Sequence, residues 1–236
     1  MKRSFALIIA IFLAGCAFPI VPAALENNCA KETSGVEAEK YLVSILASSS
    51  ETKLRYLGSG SAILKNGKTF VVTSAHVALK NTKTGEQRPD GLFVEFNRGP
   101  KRMILDASVA AVNTKSDIAL LRISYQLQPV AKLSTREITP GSCVVAVGRG
   151  FAGEKPARVS GNFYGYFPLS VGAWGVKVDA LIITAHIMEG MSGGPVFNKD
   201  GEVIGIANNS VVMKNKDGTE MRFSLAIPIS ELPNLP

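Results

Sequence analysis

Histidine and cysteine are scarce in this sequence, which has two histidines and three cysteines among 236 residues. A basic run is also missing: the formal net charge is +7, but the Lys and Arg residues are scattered and no aromatic residues are interleaved with them. This pattern favours a solvated basic surface over a nucleic-acid site. Internal repeats and long low-complexity stretches are absent as well. The length therefore fits one domain, or two small barrels that share an interface.

The apolar run at the N-terminus, Phe5–Ala14, is too short to span a bilayer comfortably. A short positive region precedes it, which is the layout of a secretory signal. The run ends in Leu13–Cys16 (Leu-Ala-Gly-Cys), which resembles the lipobox of bacterial lipoprotein signals, where cleavage precedes an acylated cysteine. We therefore predict a signal peptide at 1–15 and lipidation of Cys16. A plain signal peptide cleaved near Ala23 is the alternative.

Export would permit a disulfide between the two remaining cysteines, Cys29 and Cys143. That bond would tie the N-terminal arm to the body of the domain. Two unpaired thiols are the alternative, since Cys143 lies in an apolar run and would serve as a small buried hydrophobe. Residues 16–37 are interpreted as a lipidated tether, and the apolar spacing in Val36–Leu46 predicts a short helix.

From about residue 55 onward, short apolar runs alternate with turn signals, which is typical of an all-β domain. Asn66-Gly67 is a strong hairpin signal between two of these runs. A dozen short strands without long intervening helices predict a sandwich or a pair of barrels, with a boundary at Gln126–Gly141. The predicted strands are Ser59–Leu64, Thr69–Thr73, Gly91–Phe96, Ser108–Asn113, Ile118–Ser124, Cys143–Gly148, Arg158–Tyr164, Val176–Thr184, Pro195–Asn198, Val203–Ala207 and Phe223–Ile227.

A serine lies among glycines at Gly190–Pro195, which reads Gly-Met-Ser-Gly-Gly-Pro. Glycine weakens strands and helices and proline ends them, so this stretch predicts a tight turn that approaches a ligand closely. The amides of Gly190 and Ser192 can point at one spot there, with the Ser192 hydroxyl beside it. Acyl transfer needs such a nucleophile next to paired donors for an oxyanion. A glycine-rich hairpin that contains a serine is the alternative.

Two further polar residues lie at the ends of apolar runs: His76 follows Val71–Ala75, and Asp117 precedes Ile118–Ile123. Taken singly, each has an ordinary explanation as a strand-end histidine or a turn aspartate. Together they match what a serine nucleophile requires. A neutral imidazole removes the hydroxyl proton, and a carboxylate orients the imidazole and stabilises the imidazolium.

The order His76, Asp117, Ser192 resembles that of the chymotrypsin-like serine proteases. The surrounding sequences Thr-Ser-Ala-His, Asp-Ile-Ala-Leu-Leu and Gly-Met-Ser-Gly-Gly-Pro carry the resemblance, which covers nearly everything from about Leu57 to Ile229. It implies that His76 is general base and then acid, Asp117 its orienter and Ser192 the nucleophile. The amides of Gly190 and Ser192 would form the oxyanion hole, and no metal or organic cofactor is required.

Within that superfamily the sequence is most similar to the bacterial HtrA-type protease domain, through Gly58–Leu64, Gly201–Ile206 and Phe223–Pro228. The similarity implies an all-β fold of two six-stranded β-barrels packed together, with the triad in the cleft between them. The protease domain would span 38–236. Its N-terminal barrel would cover about 50–126 and its C-terminal barrel about 141–230.

The sequence departs from the HtrA-type pattern in three ways. It ends at Pro236 without the PDZ domain that usually follows, so a peptide-sensing module is not expected. Met191 stands where digestive relatives carry aspartate and HtrA-type relatives asparagine, which argues against activation by a new N-terminus that pairs with the aspartate. No obvious propeptide is present beyond the tether.

Four residues are candidates for substrate binding by the same resemblance. His186 would lie near the base of the pocket for the residue before the cleaved bond, where it could hydrogen-bond Gln or Glu. A loop histidine satisfied by the backbone is the alternative. Asn208, Asn209 and Ser210 follow an apolar strand and are expected to form the edge that pairs with an extended peptide.

These observations predict a serine endopeptidase that hydrolyses exported or envelope proteins through an acyl-enzyme intermediate. The predicted partners are polypeptide substrates and a bacterial membrane reached through the lipid anchor, without nucleic acid. A catalytically silent protease-fold module that binds peptides is the main alternative. An esterase is disfavoured because the sequence lacks the nucleophile elbow of the α/β-hydrolases.

Overall fold

The structure is a computed structural model that describes residues 9–11, 23–50, 53–81, 84–87, 91–98, 101–150, 156–171, 176–214, 218 and 220–233. Cys16 and most of the predicted signal peptide lie outside the described residues. The strands are β1 (Ile9–Ile11), β2 (Leu42–Ser50), β3 (Lys53–Lys65), β4 (Lys68–Ser74), β5 (Leu79–Asn81), β6 (Glu86–Gln87), β7 (Leu92–Arg98), β8 (Lys101–Asn113), β9 (Ile118–Ile123), β10 (Lys132–Leu133), β11 (Cys143–Gly148), β12 (Ala157–Val171), β13 (Val176–Ile183), β14 (Pro195–Asn198), β15 (Glu202–Lys214) and β16 (Glu220–Pro228). The α-helices are α1 (Ala23–Glu32) and α2 (Ala75–Ala78), and 3-10 helices cover Ala38–Tyr41 and Ile229–Glu231.

Six antiparallel strands close the first barrel in the order β2-β3-β4-β9-β8-β7. The predicted hairpin between β3 and β4 is confirmed. Asn66 and Gly67 have φ values of 51° and 71°, as a type I′ turn requires at both central residues. The barrel begins at Leu42, earlier than the predicted start near residue 50, because β2 pairs with both β3 and β7.

The second barrel consists of β11, β12, β13, β16, β15 and β14, paired in that order, and the pairing of β14 with β11 closes it. The two barrels confirm the predicted all-β double-barrel fold. The residues that join β9 to β11 include the predicted boundary at Gln126–Gly141 and form β10, which pairs in parallel with β15. A second parallel strand, β1, lies against Val211–Met213 of β15.

Each barrel has an apolar interior, and a third apolar cluster joins the barrels. This cluster packs Ile63 and Leu120 of the first barrel with Val145, Phe197 and Ile206 of the second. These side chains are fully buried, and burying each one stabilises the fold by about 1.5–3 kcal/mol. The two barrels are therefore joined by continuous hydrophobic packing.

The predicted helix at Val36–Leu46 is wrong except for the 3-10 turn at Ala38–Tyr41. Leu42 onward forms β2, where Val43, Ile45 and Ala47 alternate into the barrel interior. The apolar spacing fits both the helical and the strand period. The strand forms because β2 pairs with β3 on one side and with β7 on the other.

Residues 23–37 of the predicted tether belong to the domain. Cys29 on α1 is bonded to Cys143 on β11, with 5.0 Å between their Cα atoms. Arg158 on β12 donates hydrogen bonds to the carbonyl groups of Thr33 and Val36. Cys29 of α1 is buried, whereas Asn28 and Ala30–Glu32 are exposed, so the helix contacts the barrel on the side of Cys29. None of the helices in the described ranges is long and apolar enough to cross a membrane.

Candidate active site

His76 and Asp117 are brought together by two neighbouring strands. Ser74, the last residue of β4, pairs with Ile118, the first residue of β9, so the adjoining residues lie at the same end of the barrel. His76 is carried by α2, directly after β4, and Asp117 precedes β9 with a φ of 57°. The Ala75 N–H donates to the Asp117 carbonyl at 3.0 Å, which fixes the two chain segments together.

The carboxylate of Asp117 holds His76 at two points. His76 Nδ1 lies 2.6 Å from Asp117 Oδ2, and the His76 N–H donates to Oδ1 at 2.8 Å. An ionised carboxylate can only accept, so Nδ1 is the ring nitrogen that donates to Asp117. The side chain of His76 is 43% exposed and that of Asp117 is 10% exposed. A substrate can therefore reach the imidazole while the carboxylate is sheltered.

The loop that carries Ser192 is anchored to β15. The Gly193 N–H donates to the Ala207 carbonyl at 2.8 Å, and the Ala207 N–H donates to the Gly194 carbonyl at 2.8 Å. Gly193 has a φ of +85°, and a Cβ there would lie 2.2 Å from the carbonyl oxygen of Ser59. Only glycine satisfies both the φ and the space at this position.

Asn208 joins the serine to the other two residues. Its side-chain Nδ2 donates to Asp117 Oδ2 at 2.6 Å, and its carbonyl oxygen accepts from the Ser192 hydroxyl at 3.0 Å. A continuous series of hydrogen bonds thus connects His76, Asp117, Asn208 and Ser192 across the two barrels. Sequence analysis assigned Asn208 to the substrate edge and missed its side-chain contact with Asp117. Its place directly after the predicted strand Val203–Ala207 gave no indication of that partner.

Most amides of the glycine loop are used inside the protein. The N–H of Met191 donates to Met188, and that of Gly194 donates to Met191. In the described part of the chain, no hydrogen bond donated by the amides of Gly190 or Ser192 occurs. Gly190 has a φ of +93°, a value that side chains disfavour. Gly190 and Ser192, whose amides are predicted for the oxyanion hole, are thus the loop residues whose N–H donates to no acceptor among the described residues.

Met191 anchors the middle of the loop through apolar contact. It is fully buried and packs in the core of the second barrel. Gly148 provides the space, since a Cβ there would lie 2.7 Å from the Met191 Cα. The side chain that replaces the aspartate of digestive relatives is thus a core residue in this protein.

The candidate substrate residues belong to two neighbouring segments, one around His186 and one on β15. His186 is exposed and precedes the buried Ile187. Ser210 Oγ donates to the Ile187 carbonyl at 3.2 Å, and the Ile187 N–H donates to Ser224 Oγ at 2.9 Å. The Ser210 N–H donates to the side-chain Oδ1 of Asn209 at 2.8 Å. Ser210 is therefore in direct contact with the segment that follows His186.

Across the described ranges, no three or more His, Cys, Asp or Glu residues are grouped so that they could hold a metal ion. What the arrangement offers is an imidazole oriented by a carboxylate, a serine hydroxyl and, among the hydrogen bonds of the described residues, two amides without an acceptor. Those groups suit nucleophilic attack on a carbonyl carbon.

Two curated relatives are similar in sequence over most of this chain. A probable periplasmic serine endoprotease DegP-like from Halomonas elongata is 34% identical over 179 residues, which is 74% of this chain and 33% of the relative. A protein of the same description from Pseudomonas fulva is 31% identical over 177 residues, 74% of this chain and 33% of the relative. The chain thus spans about a third of the length of these relatives.

Solved structures share the fold at lower identity. The active form of the Rv3671c protease from M. tuberculosis has a TM-score of 0.62 and 20% identity, covering 98% of this chain and 89% of the other. The MamO protease domain from Magnetospirillum magneticum has a TM-score of 0.63 and 22% identity, covering 84% of this chain and 98% of the other. Residues 58–206 match the family described as the trypsin-like peptidase domain. Because this match covers more than half of the chain, the chain belongs to the trypsin-like peptidase family.

Proposed function

We propose that this protein is a serine endopeptidase whose catalytic triad is His76, Asp117 and Ser192. The observation that carries the proposal is the series of hydrogen bonds from His76 through Asp117 and Asn208 to Ser192. It spans the cleft between the barrels, beside the unused amides of Gly190 and Ser192. Membership of the trypsin-like peptidase family supports the same chemistry.

The reaction begins with a turn of the Ser192 hydroxyl. A hydroxyl has one proton, and in the resting site that proton is donated to the carbonyl of Asn208. The hydroxyl must turn to Nε2 of His76, which takes the proton while Oγ bonds to the substrate carbonyl carbon. The carbonyl π electrons move onto oxygen, where the Gly190 and Ser192 amides stabilise the negative charge.

The same proton leaves with the first product. His76 transfers it to the departing amine as the C–N bond breaks, which leaves an acyl group on Ser192. A water molecule then loses a proton to His76 and attacks the ester, and that proton returns to Oγ as the acid product departs. Asp117 stabilises the imidazolium in both halves of the reaction.

The free edge of β15 supports an extended peptide as substrate. Asn208, Asn209 and Ser210 lie on this edge, and β1 pairs with it immediately beyond, at Val211–Met213. An edge that accepts one strand of this chain offers the same backbone groups to another peptide. Because β1 lies within the predicted signal peptide, cleavage before Cys16 would leave the edge to substrates.

Export and lipidation are part of the proposal. The disulfide between Cys29 and Cys143 suits an oxidising compartment, and the curated relatives are described as periplasmic. The substrates would be exported or envelope proteins, reached from an acyl anchor on Cys16. Feeding cells an alkyne-labelled fatty acid should label the wild-type chain and leave Cys16→Ser unlabelled. Equal labelling of both would exclude the anchor.

Covalent labelling with a fluorophosphonate probe tests the catalytic proposal. The wild-type chain should react at one serine, and both Ser192→Ala and His76→Ala should abolish the reaction. Ser124→Ala is the matched control, because Ser124 is exposed and follows β9 away from the loop. A well-folded wild type that fails to react would overturn the proposal and favour the silent peptide-binding module.

A further inference from the structure

Polar groups from both barrels meet behind the Gly190–Ser192 turn. Tyr56 Oη lies 2.7 Å from the Arg149 carbonyl oxygen and 2.8 Å from both the Gly190 carbonyl oxygen and Ser59 Oγ. Ser59 Oγ lies 3.1 Å from the Gly190 carbonyl oxygen and accepts from the Arg149 N–H at 2.9 Å. Tyr56 and Ser59 belong to β3 of the first barrel, whereas Arg149 and Gly190 belong to the second.

Two hydroxyl protons, those of Tyr56 and Ser59, serve this network, and its carbonyl acceptors belong to Arg149 and Gly190. The Arg149 N–H donates to Ser59 Oγ, and the Ser59 hydroxyl donates to the Gly190 carbonyl. The Tyr56 hydroxyl is then shared between the carbonyls of Arg149 and Gly190. Burial raises the pKa of Tyr56 to about 12, so the phenol keeps its proton and remains a donor at physiological pH.

Ser59 also holds the other end of the turn. Its N–H donates to the Ser192 carbonyl at 2.8 Å. Ser59 itself is fully buried, and its carbonyl accepts from Thr73 Oγ1 at 2.6 Å. A single residue of the first barrel therefore binds the carbonyl groups on both sides of Met191.

Two peptide groups of the turn are hydrogen-bonded at both their carbonyl and their N–H. The peptide between Gly190 and Met191 is bonded at its carbonyl by Ser59 and at its N–H by Met188. The peptide between Ser192 and Gly193 is bonded at its carbonyl by Ser59 and at its N–H by Ala207. The Ser192 amide belongs to the peptide between these two, whose carbonyl accepts from the Gly194 N–H at 2.9 Å, and the Gly190 amide belongs to the peptide before them. Fixing the held peptides sets the direction in which those two amides point.

We propose that Ser59 and Tyr56 are positioning residues of the oxyanion turn, which hold its carbonyl groups so that the Gly190 and Ser192 amides converge on the substrate oxygen. This inference rests on the proposed function. The first barrel already carries His76 and Asp117. The inference gives it a second role, which is to position the donors that stabilise the oxyanion.

The kinetics of phosphonylation separate positioning from simple structural support. Fluorophosphonate reacts with displacement of fluoride by Ser192 Oγ, and its phosphoryl oxygen occupies the position of the oxyanion. The maximal rate of labelling at saturating probe should fall about tenfold in Ser59→Ala and about threefold in Tyr56→Phe. These losses are smaller than the roughly 10²–10³-fold cost of removing an oxyanion donor, because both amides remain. The probe concentration at half-maximal rate should stay unchanged.

A spectroscopic measurement reports the turn directly. The ³¹P resonance of the phosphonylated serine depends on hydrogen bonds to the phosphoryl oxygen, so it should shift in both variants. Tyr125→Phe and Ser124→Ala are matched controls, since both residues are exposed, and they should keep the wild-type rate and resonance. If Ser59→Ala fails to fold, Tyr56→Phe decides, because it removes one oxygen and keeps the ring.

The outcomes distinguish this inference from the proposed function. Absence of labelling in the folded wild type overturns both. Labelling of the wild type with unchanged maximal rates in both variants overturns the positioning role alone. A lower unfolding temperature without a change in rate or ³¹P resonance would show that the network only joins the barrels, which also overturns the inference.

Discussion

Asn208 contributes its side chain and its backbone to the site, and only the side chain can be removed by substitution. The amide donates to Asp117 at 2.6 Å, a short hydrogen bond to a charged acceptor. Asn208→Ala leaves the carboxylate with one partner fewer and its orientation toward His76 less fixed. We expect the fluorophosphonate labelling rate to fall about tenfold, measured by gel fluorescence over time.

The control for this variant is Asn28→Ala, since Asn28 lies on α1 and bonds only the nearby Glu32 among the contacts described for its side chain. Its rate should equal that of the wild type. A wild-type rate in Asn208→Ala would show that Asp117 needs no support from β15.

Asn209 covers a backbone donor on the proposed substrate edge. Its Oδ1 accepts from the Ser210 N–H, so a substrate carbonyl must displace this side chain before it can pair there. Asn209→Ala should expose the amide and lower the KM for an extended peptide about threefold.

A small activated ester provides the internal control, because it does not extend to this edge. Its hydrolysis should be the same in Asn209→Ala and the wild type. A KM for the peptide that rises in the variant would mean that Asn209 itself contacts the substrate.

Strand β10 is joined to β15 by an ion pair with a defined pH dependence. Lys132 Nζ lies 2.6 Å from Glu202 Oε1, and this hydrogen bond lowers the pKa of the Glu202 carboxyl. A carboxyl with a lower pKa in the folded than in the unfolded state stabilises the fold above its unfolded pKa. That contribution disappears as the pH falls through the folded pKa.

Glu202→Gln should therefore reduce the free energy of unfolding at pH 7, and its difference from the wild type should shrink below about pH 4. Urea unfolding at several pH values measures this difference. Lys132→Met removes the same pair from the other side, and the double variant should lose no more than the larger single loss. A difference that persists unchanged in acid would attribute the effect to packing.

The link between α1 and the second barrel affects the stability of the whole molecule. The bonded cysteines are 114 residues apart in sequence, so the bond restricts a long loop in the unfolded chain. Replacing both with Cys29→Ser and Cys143→Ser should lower the free energy of unfolding by about 2–5 kcal/mol in urea titrations.

The catalytic groups do not include α1, so labelling of the folded double variant at 25 °C should match the wild type. Reduction of the wild type with dithiothreitol should reproduce the same loss of stability. Equal stability of the reduced and oxidised proteins would contradict this expectation.

Local sequence signals predicted much of the molecule. Asn66-Gly67 determined a hairpin, and the residue types at His76, Asp117 and Ser192 indicated a site that the fold brings together. The strand at Leu42–Ser50 was missed because its apolar residues fit two periods, and pairing with β3 and β7 selects one.

The polar contacts between the barrels could not be predicted from the sequence. Tyr56 and Gly190 are separated by 134 positions, and no periodicity relates a tyrosine on one strand to a carbonyl in a distant turn. The side-chain bond from Asn208 to Asp117 is of the same kind. Such contacts depend on how two closed barrels pack together. Hydrophobic patterns predict that barrels form, but they do not predict which residues meet between them.

The attachment of α1 to the second barrel also determines how far the protease could travel. Six residues, 17–22, separate Cys16 from the start of α1, and six fully extended residues span about 20 Å. With the acyl anchor proposed at Cys16, the active site would reach only substrates within a thin layer next to the lipid surface. Encounters would then scale with the number of substrates per unit area of membrane rather than with their bulk concentration. Proteins that remain near the bilayer would be cleaved first.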